Sequence, residues 1–377
     1  MKLPAEKSWH NLYIHIPFCV SKCGYCAFYS ETQCGSAIRK NYLAAVKDFL
    51  LQQEFSSPVK TVYIGGGTPN FLTASEMAEL FEFVYKIVPL AKECEVSSEL
   101  NPELLTAGKL SVLNEYATRL SLGVQSFDES VRNLLMRKCS SEHLQKALKL
   151  LEKRRARHFN IDLIYGVAGV PEKVLANDLN LAVEHGADHL SCYSLTAEEN
   201  SRLGLNSPVA DNSEAADRWL FIGEKLSEYG INRYEISNYA KSDAHCRHNV
   251  NVWRGDTLLG AGAAAAGFNG IDRYNFTESI DDFIAGRTPE FDCITPEERL
   301  LEIFAVNLRT VEGWQKAVWE KLYPATWDKM YKKCVNCAAE DPKWWSVEAD
   351  RIALTGAGLL FWDDAAMDVL SWDEELL

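Results

Sequence analysis

Short runs of apolar, β-branched and aromatic residues alternate with longer stretches in which apolar positions recur three and four apart. The strand-like runs are Asn11–Ile16, Lys60–Ile64, Cys94–Leu100, Arg119–Val124, Asn160–Tyr165 and His189–Leu195. Between them lie amphipathic stretches: Ile38–Gln53, Ala74–Val88, Pro102–Tyr116, Ser141–Arg155 and Pro171–His185. Ala74–Val88, for example, places Met77, Leu80, Phe81, Val84 and Val88 at helical spacing. Strands that each lead into a helix predict an α/β fold with a parallel sheet and right-handed crossovers. Periodicity does not say whether that sheet closes into a full barrel. Cys19, Gly65–Thr68, Glu99, Gln125 and the stretch after Asp162 all fall at or beyond the C-terminal end of a predicted strand. That rim is where parallel α/β folds bind ligands.

After about Ala240 the rhythm breaks into a Gly/Ala-rich stretch, Gly260–Gly267, a polar loop and a Trp-rich region. Glu297–Leu308 reads as a helix, and Arg351–Thr355 as a short strand ending in a turn at Gly356. The expected organisation is a core over 1–240, a connecting segment over 241–289 and a small module over 290–377.

Composition narrows the class. Of 377 residues, 47% are hydrophobic and 24% charged, ordinary for a globular chain with a real core. No run approaches the length needed to cross a bilayer. Met1–Asn11 is polar, without the apolar centre of a signal peptide, so a cytoplasmic location is expected. A net charge of −14 repels phosphate backbones and argues against nucleic acid as a partner. The basic cluster Lys153–His158 runs the other way, but cations at a helix C-terminus are its plainer explanation.

Eleven cysteines in a reducing cytoplasm are expected to be metal ligands, reactive thiols or small buried apolar residues rather than a disulfide framework, and spacing picks out three. Cys19, Cys23 and Cys26 fall within eight residues just after a strand, so three thiolates can face one soft metal centre. A four-iron cluster on three cysteines keeps one iron open. Structural zinc wants four ligands, and neither His15 nor Cys34 stands at a suitable spacing. Cys334 and Cys337 form a lone C-x-x-C pair without a second half-site, and incidental cysteines explain it better than a metal.

From Tyr13 to Cys26, with the aromatic Tyr25 before the last cysteine, the chain resembles the radical S-adenosylmethionine enzymes. More closely it resembles the oxygen-independent coproporphyrinogen III oxidase family, and within it the HemW-type haem chaperones. The likeness continues through Gly65–Pro69, Glu99–Pro102, Gly123–Phe127, Asn160–Gly166, Tyr234–Tyr239 and Cys246–Asn249. It implies a partial (β/α)6 barrel with a smaller C-terminal module. It also implies a [4Fe-4S] cluster on Cys19, Cys23 and Cys26, whose open iron chelates S-adenosylmethionine. Gly66, Gly67 and Thr68 are the implied contacts of the methionine part, and Glu99 of the ribose or ammonium group. Gln125, Arg137 and Asp162 match nucleotide-contacting positions, and Tyr13 and Tyr25 offer aromatic surface and a hydroxyl.

Within the family, the oxidases carry a longer N-terminal extension and a fourth cysteine two residues after the third; here that position is Phe28. The resemblance therefore points to a chaperone that binds haem and passes it to an acceptor protein, as a monomer or homodimer, rather than to a porphyrinogen oxidase. His248 is the first haem-ligand candidate, with Trp253 able to stack on a porphyrin and Arg247 able to pair with a propionate. Departures from the pattern are Val252 for the usual Tyr, Ala168 and Val170 for Pro and Gln, and Ala266 for a His. They bear on haem more than on the cluster.

Overall fold

The chain was analysed as a computed structural model that describes residues 1–3, 8–32 and 34–372. Six strands form in the places where β-branched and apolar residues alternate with others. They are β1 (Asn11–Ile16), β2 (Val59–Gly66), β3 (Leu90–Leu100), β4 (Arg119–Gln125), β5 (His158–Tyr165) and β6 (His189–Ser194). They pair parallel and in sequence order, with Tyr13 beside Tyr63, Tyr63 beside Ser97, Ser97 beside Arg119 and Asn160 beside His189.

Successive side chains on a strand point to opposite faces, and here the two faces differ in kind. One carries Leu12, Ile14, Ile16, Val62, Ile64, Val96, Leu120, Leu122, Phe159, Ile161, Leu163 and Leu190, all buried beneath helices. The other carries Asn11, Tyr13, Thr61, Tyr63, Glu95, Ser97, Glu99, Arg119, Ser121, Asn160, Asp162, His189 and Ser191. The hydrophobic core thus sits between sheet and helices, and the barrel interior is polar along its length. The expectation put the polar residues at the rim alone; the register extends them to the floor.

The covering helices follow their sequence signals. Ala74–Ile87 starts on a reciprocal capping box between Thr73 and Glu76 and buries Met77, Leu80, Phe81 and Val84. Ser36–Leu51 and Glu172–Glu184 lie within two residues of their expected ends. Pro102 opens only a short 3₁₀ turn, and the helix expected from there begins at Ala107, where Thr106 caps it. Ser141–Leu151 ends before the basic cluster, and Arg154 there donates to the Leu151 carbonyl, the cation-at-C-terminus arrangement expected. The helix Asn212–Ser227 had no counterpart among the predicted stretches, although Trp219, Ile222 and Leu226 are its buried stripe.

The sheet goes further than six strands. Leu258–Ala261 pairs parallel with the outer edge of β1. Ala266–Phe268, Arg273–Asn275 and Glu290–Asp292 then extend that edge antiparallel. Asn238–Ala240 pairs antiparallel with β6 at the other edge, and the two edges do not meet, so the barrel is partial. The segment expected to be a connector thus continues the sheet. Its Gly and Ala residues gave no strand signal because they serve close approach: a Cβ on Gly260 would stand 2.0 Å from the Ala266 carbonyl oxygen.

Beyond it, a three-stranded antiparallel sheet (Trp314–Gln315, Arg351–Leu354, Trp345–Glu348) packs with helices Pro296–Asn307, Trp327–Glu340 and Trp362–Leu370. Gly356, expected as a turn, opens the short helix Gly356–Leu359. Phe304 is fully buried against Trp314, Trp319 and Trp372, so these tryptophans are packing residues. Glu235, fully buried, accepts from Ser237 N, Asn238 Nδ2 and Arg309 Nε, which ties this module to the barrel.

Candidate functional site

The C-terminal ends of β1–β6 open into a cavity of about 570 Å³, within the size range of small-molecule sites. The loop after β1 crosses its mouth and carries Cys19, Cys23 and Cys26, and all three line the cavity. That loop is clamped from two sides: Gly24 N–H donates to the Leu135 carbonyl, and Leu203 N–H donates to the Gly24 carbonyl. A Cβ on Gly24 would come within 2.8 Å of the Leu203 side chain, which holds this position to glycine.

Cys19 Sγ lies 3.4 Å from Thr68 Oγ1, and Arg137 Nη1 lies 3.5 Å from Cys23 Sγ. Burial pushes the Cys19 thiol up and the Cys26 thiol up to about 11. Forming thiolates here therefore needs a metal's charge to drive it. Among the described residues, no three His, Cys, Asp or Glu side chains converge on a point that one metal ion could occupy. His15 is spent elsewhere, its Nε2 on the Tyr29 carbonyl and its Nδ1 on Tyr13. Arg137 is buried, donates to the Gly123 carbonyl and leaves its Nε without a protein partner. Ser97 Oγ, on the same cavity wall, is likewise buried and unpartnered. With Ser30 Oγ, three buried polar atoms of the cavity's lining residues lack a protein partner, as a site for a polar occupant would leave them.

The Gly65–Gly67 turn follows β2. Gly66 sits at φ +108°, and a Cβ there would strike the His15 ring at 2.6 Å. Its N–H donates to Glu99 Oε2, and Tyr63 donates to Glu99 Oε1. Burial, and then the nearby Asp162 carboxylate, push the Glu99 acid up to about 7. Burial raises Asp162 too, against hydrogen bonds from Asn160, Ser121 and Ser191 that favour its charged form. Gln125 sits at φ +72° on a bulge between β4 and β5. The turn after it is held by Asp178, which accepts from Ser126 Oγ at 2.6 Å and Phe127 N at 2.7 Å. Strain of this kind persists where its surroundings enforce it, often at a site.

Eleven residues singled out from sequence line this one cavity: Cys19, Cys23, Tyr25, Cys26, Gly66, Gly67, Thr68, Glu99, Gln125, Arg137 and Asp162. Two do not. Tyr13 lies beneath the lining, its hydroxyl 3.1 Å from His15 Nδ1 and its ring against Tyr63 and His248. His248 is buried at the barrel's base, with Nδ1 2.8 Å from Thr61 Oγ1 and its backbone N–H on Glu95. Burial takes its imidazole down to about 3, so it is neutral, and its Nδ1 is paired with Thr61 rather than free. Phe28 lines the mouth and is 71% exposed. Sequence reading missed Ser97, Ser121, Asn160, His189, Ser191 and Tyr193, which line the cavity too. Their signal was the polar half of the period-two alternation in β3–β6.

The sequence model of the Radical SAM superfamily matches residues 13–182. Among curated relatives, the haem chaperone HemW of Mycobacterium tuberculosis (strain ATCC 25618 / H37Rv) is 34% identical over 294 residues, covering 74% of this chain and 75% of its own. HemW of Escherichia coli K12 is 35% identical over 262 residues, covering 68% and 69%. HemW of Bacillus subtilis 168 is 30% identical over 354 residues, covering 88% and 91%. A solved structure of Escherichia coli coproporphyrinogen III oxidase (HemN), a radical SAM enzyme, superposes with a TM-score of 0.81 over 97% of this chain and 91% of its own. At 19% identity that likeness speaks to the fold. No helix among the described residues is long and apolar enough to cross a membrane.

Proposed function

Since the chain belongs to the radical SAM superfamily and, within it, to the HemW family, we propose that it holds a [4Fe-4S] cluster and S-adenosylmethionine and that it binds haem for delivery to an acceptor protein. The observation that carries the cofactor part is the meeting of Cys19, Cys23 and Cys26 with eight further motif residues on one cavity. Cys19, Cys23 and Cys26 would hold the cluster, which when bound supplies single electrons. Arg137 offsets the thiolates' negative charge from within hydrogen-bond range of Cys23. Gly66, Gly67 and Thr68 would border the methionine end, Glu99 would accept from the ribose or the ammonium group, and Gln125 and Asp162 would contact the nucleoside. Tyr25, packed with the apolar cluster of Val131, Leu135 and Ile164, shields that end from water.

Anaerobic reconstitution should load about four irons per chain, and Cys19→Ala, Cys23→Ala and Cys26→Ala should each abolish this. Unchanged iron in all three would sink the cluster. The haem part rests on the relatives and on the aromatic mouth, where Phe28 and Tyr193 are exposed. Titration followed by absorbance should show haem binding at micromolar concentration; its absence overturns the chaperone reading. Because His248 is buried and bonded to Thr61, its ligation would need the base of the barrel to open. A His248→Ala variant that titrates like wild type assigns the ligand elsewhere. Protoporphyrinogen formed from coproporphyrinogen III, reductant and S-adenosylmethionine would instead reveal an oxidase.

A further inference from the structure

Four buried hydrogen bonds run in one direction across the floor of the cavity. Cys246 N–H donates to the Tyr234 hydroxyl oxygen at 3.3 Å. That hydroxyl lies 2.8 Å from His189 Nε2, and His189 Nδ1 lies 2.6 Å from Asn160 Oδ1. Asn160 Nδ2 then donates to Asp162 Oδ1 at 2.7 Å. Tyr234, His189, Asn160 and Cys246 are all at most 8% exposed, so water does not scramble the sequence.

The direction follows from counting hydrogens. The order is set from the Asp162 end, since an ionised carboxylate has no hydrogen to give. Asn160 therefore turns its NH2 to Asp162 and its Oδ1 to His189 Nδ1. Nδ1 must then carry the ring hydrogen, which leaves Nε2 to accept from the Tyr234 hydroxyl. Burial, and then the charge of Arg119, keep His189 neutral. A neutral ring with a bare Nε2 carries its hydrogen on Nδ1. That hydrogen holds Asn160 Oδ1 and so keeps the amide NH2 towards Asp162, Ser121 and Ser191. With the amide reversed, its oxygen would face the Asp162 carboxylate.

We propose that Tyr234 and His189 are positioning residues. They fix the Asn160 amide so that Asp162 is presented to the cofactor's nucleoside as an ordered carboxylate, and they link that end of the cavity to the Cys246–Asn249 segment. Neither residue needs to touch the cofactor. The inference rests on the reading above in which Asp162 contacts the nucleoside. Because linkage is reciprocal, whatever displaces Cys246 also alters cofactor affinity, and the cofactor biases that segment in return.

The test is a double-mutant cycle on anaerobically reconstituted protein, with S-adenosylmethionine binding read by calorimetry. Tyr234→Phe removes one hydroxyl and should weaken binding about fivefold, the size of one buried hydrogen bond, with iron content and circular dichroism unchanged. His189→Phe is the second variant and should do the same. In an Asp162→Asn background Tyr234→Phe should have no further effect, since it acts through that carboxylate. Additive losses would make Tyr234 a merely structural residue and overturn the inference, as would wild-type affinity in both single variants. If Asp162→Asn alone binds like wild type, the role of Asp162 itself fails, and the inference with it.

Discussion

Glu99 stands between a tyrosine hydroxyl and a backbone N–H, yet burial and Asp162 hold its acid near 7, far above its ordinary 4.5. The folded chain therefore keeps a proton that the unfolded chain releases. Between pH 4.5 and about 7 this lowers stability as pH rises, and the deficit is complete above the folded value. Cluster-free Glu99→Gln protein should melt above wild type at about pH 8, with the difference closing as pH falls below 4.5. A variant that melts lower at the alkaline end would contradict this account. Legibility at this scale followed locality. Three cysteines in one short loop declare themselves by spacing, because few residues separate them. His248 and Tyr13 did not reveal their burial, since that depends on Thr61 and Tyr63 from a distant strand.

The bulge at Gln125 shows how an element is bent to aim one side chain. Asp178, on the helix Glu172–Glu184, satisfies both Ser126 Oγ and Phe127 N just past the strained residue. Its own acid is raised to about 6, chiefly by burial. Asp178→Ala would leave two buried donors without an acceptor, at a cost of about 2–3 kcal/mol in urea unfolding. A loss below about 0.5 kcal/mol would mean the turn holds itself. The strand was foreseen to within a residue, whereas the bulge was not. A positive φ at glutamine has no compositional cue. Likewise Leu258–Ala261, which pairs with β1, lacks any β-branched residue, and the close approach of Ala266 on its other side accounts for Gly260.

At the scale of the whole molecule, the barrel and the C-terminal module share the Glu235–Arg309 pair, with the carboxylate fully buried and the guanidinium partly exposed. Arg309→Leu strands a buried charge and should cost about 3–5 kcal/mol. Unfolding followed by fluorescence of the module's tryptophans should coincide with loss of visible cluster absorbance, as one cooperative unit requires. Two separated transitions in wild type would show that the pair does not join them. The alternation of strands and helices up to Ala240 made the parallel core legible, because each βαβ unit is a local pattern. The added edge strands and the helix Asn212–Ser227 were illegible for want of a flanking strand rhythm.

The two-faced sheet has a consequence for how such a protein can change. Leu12, Val62, Val96, Leu120 and Ile161 hold the helices, so exchanging any of them disturbs packing everywhere around it. Ser97, Ser121 and Ser191, one strand face away, carry little of that burden. Mutations there can be sampled singly with the scaffold intact, so a lineage built on this sheet can acquire a new ligand preference without passing through an unfolded ancestor.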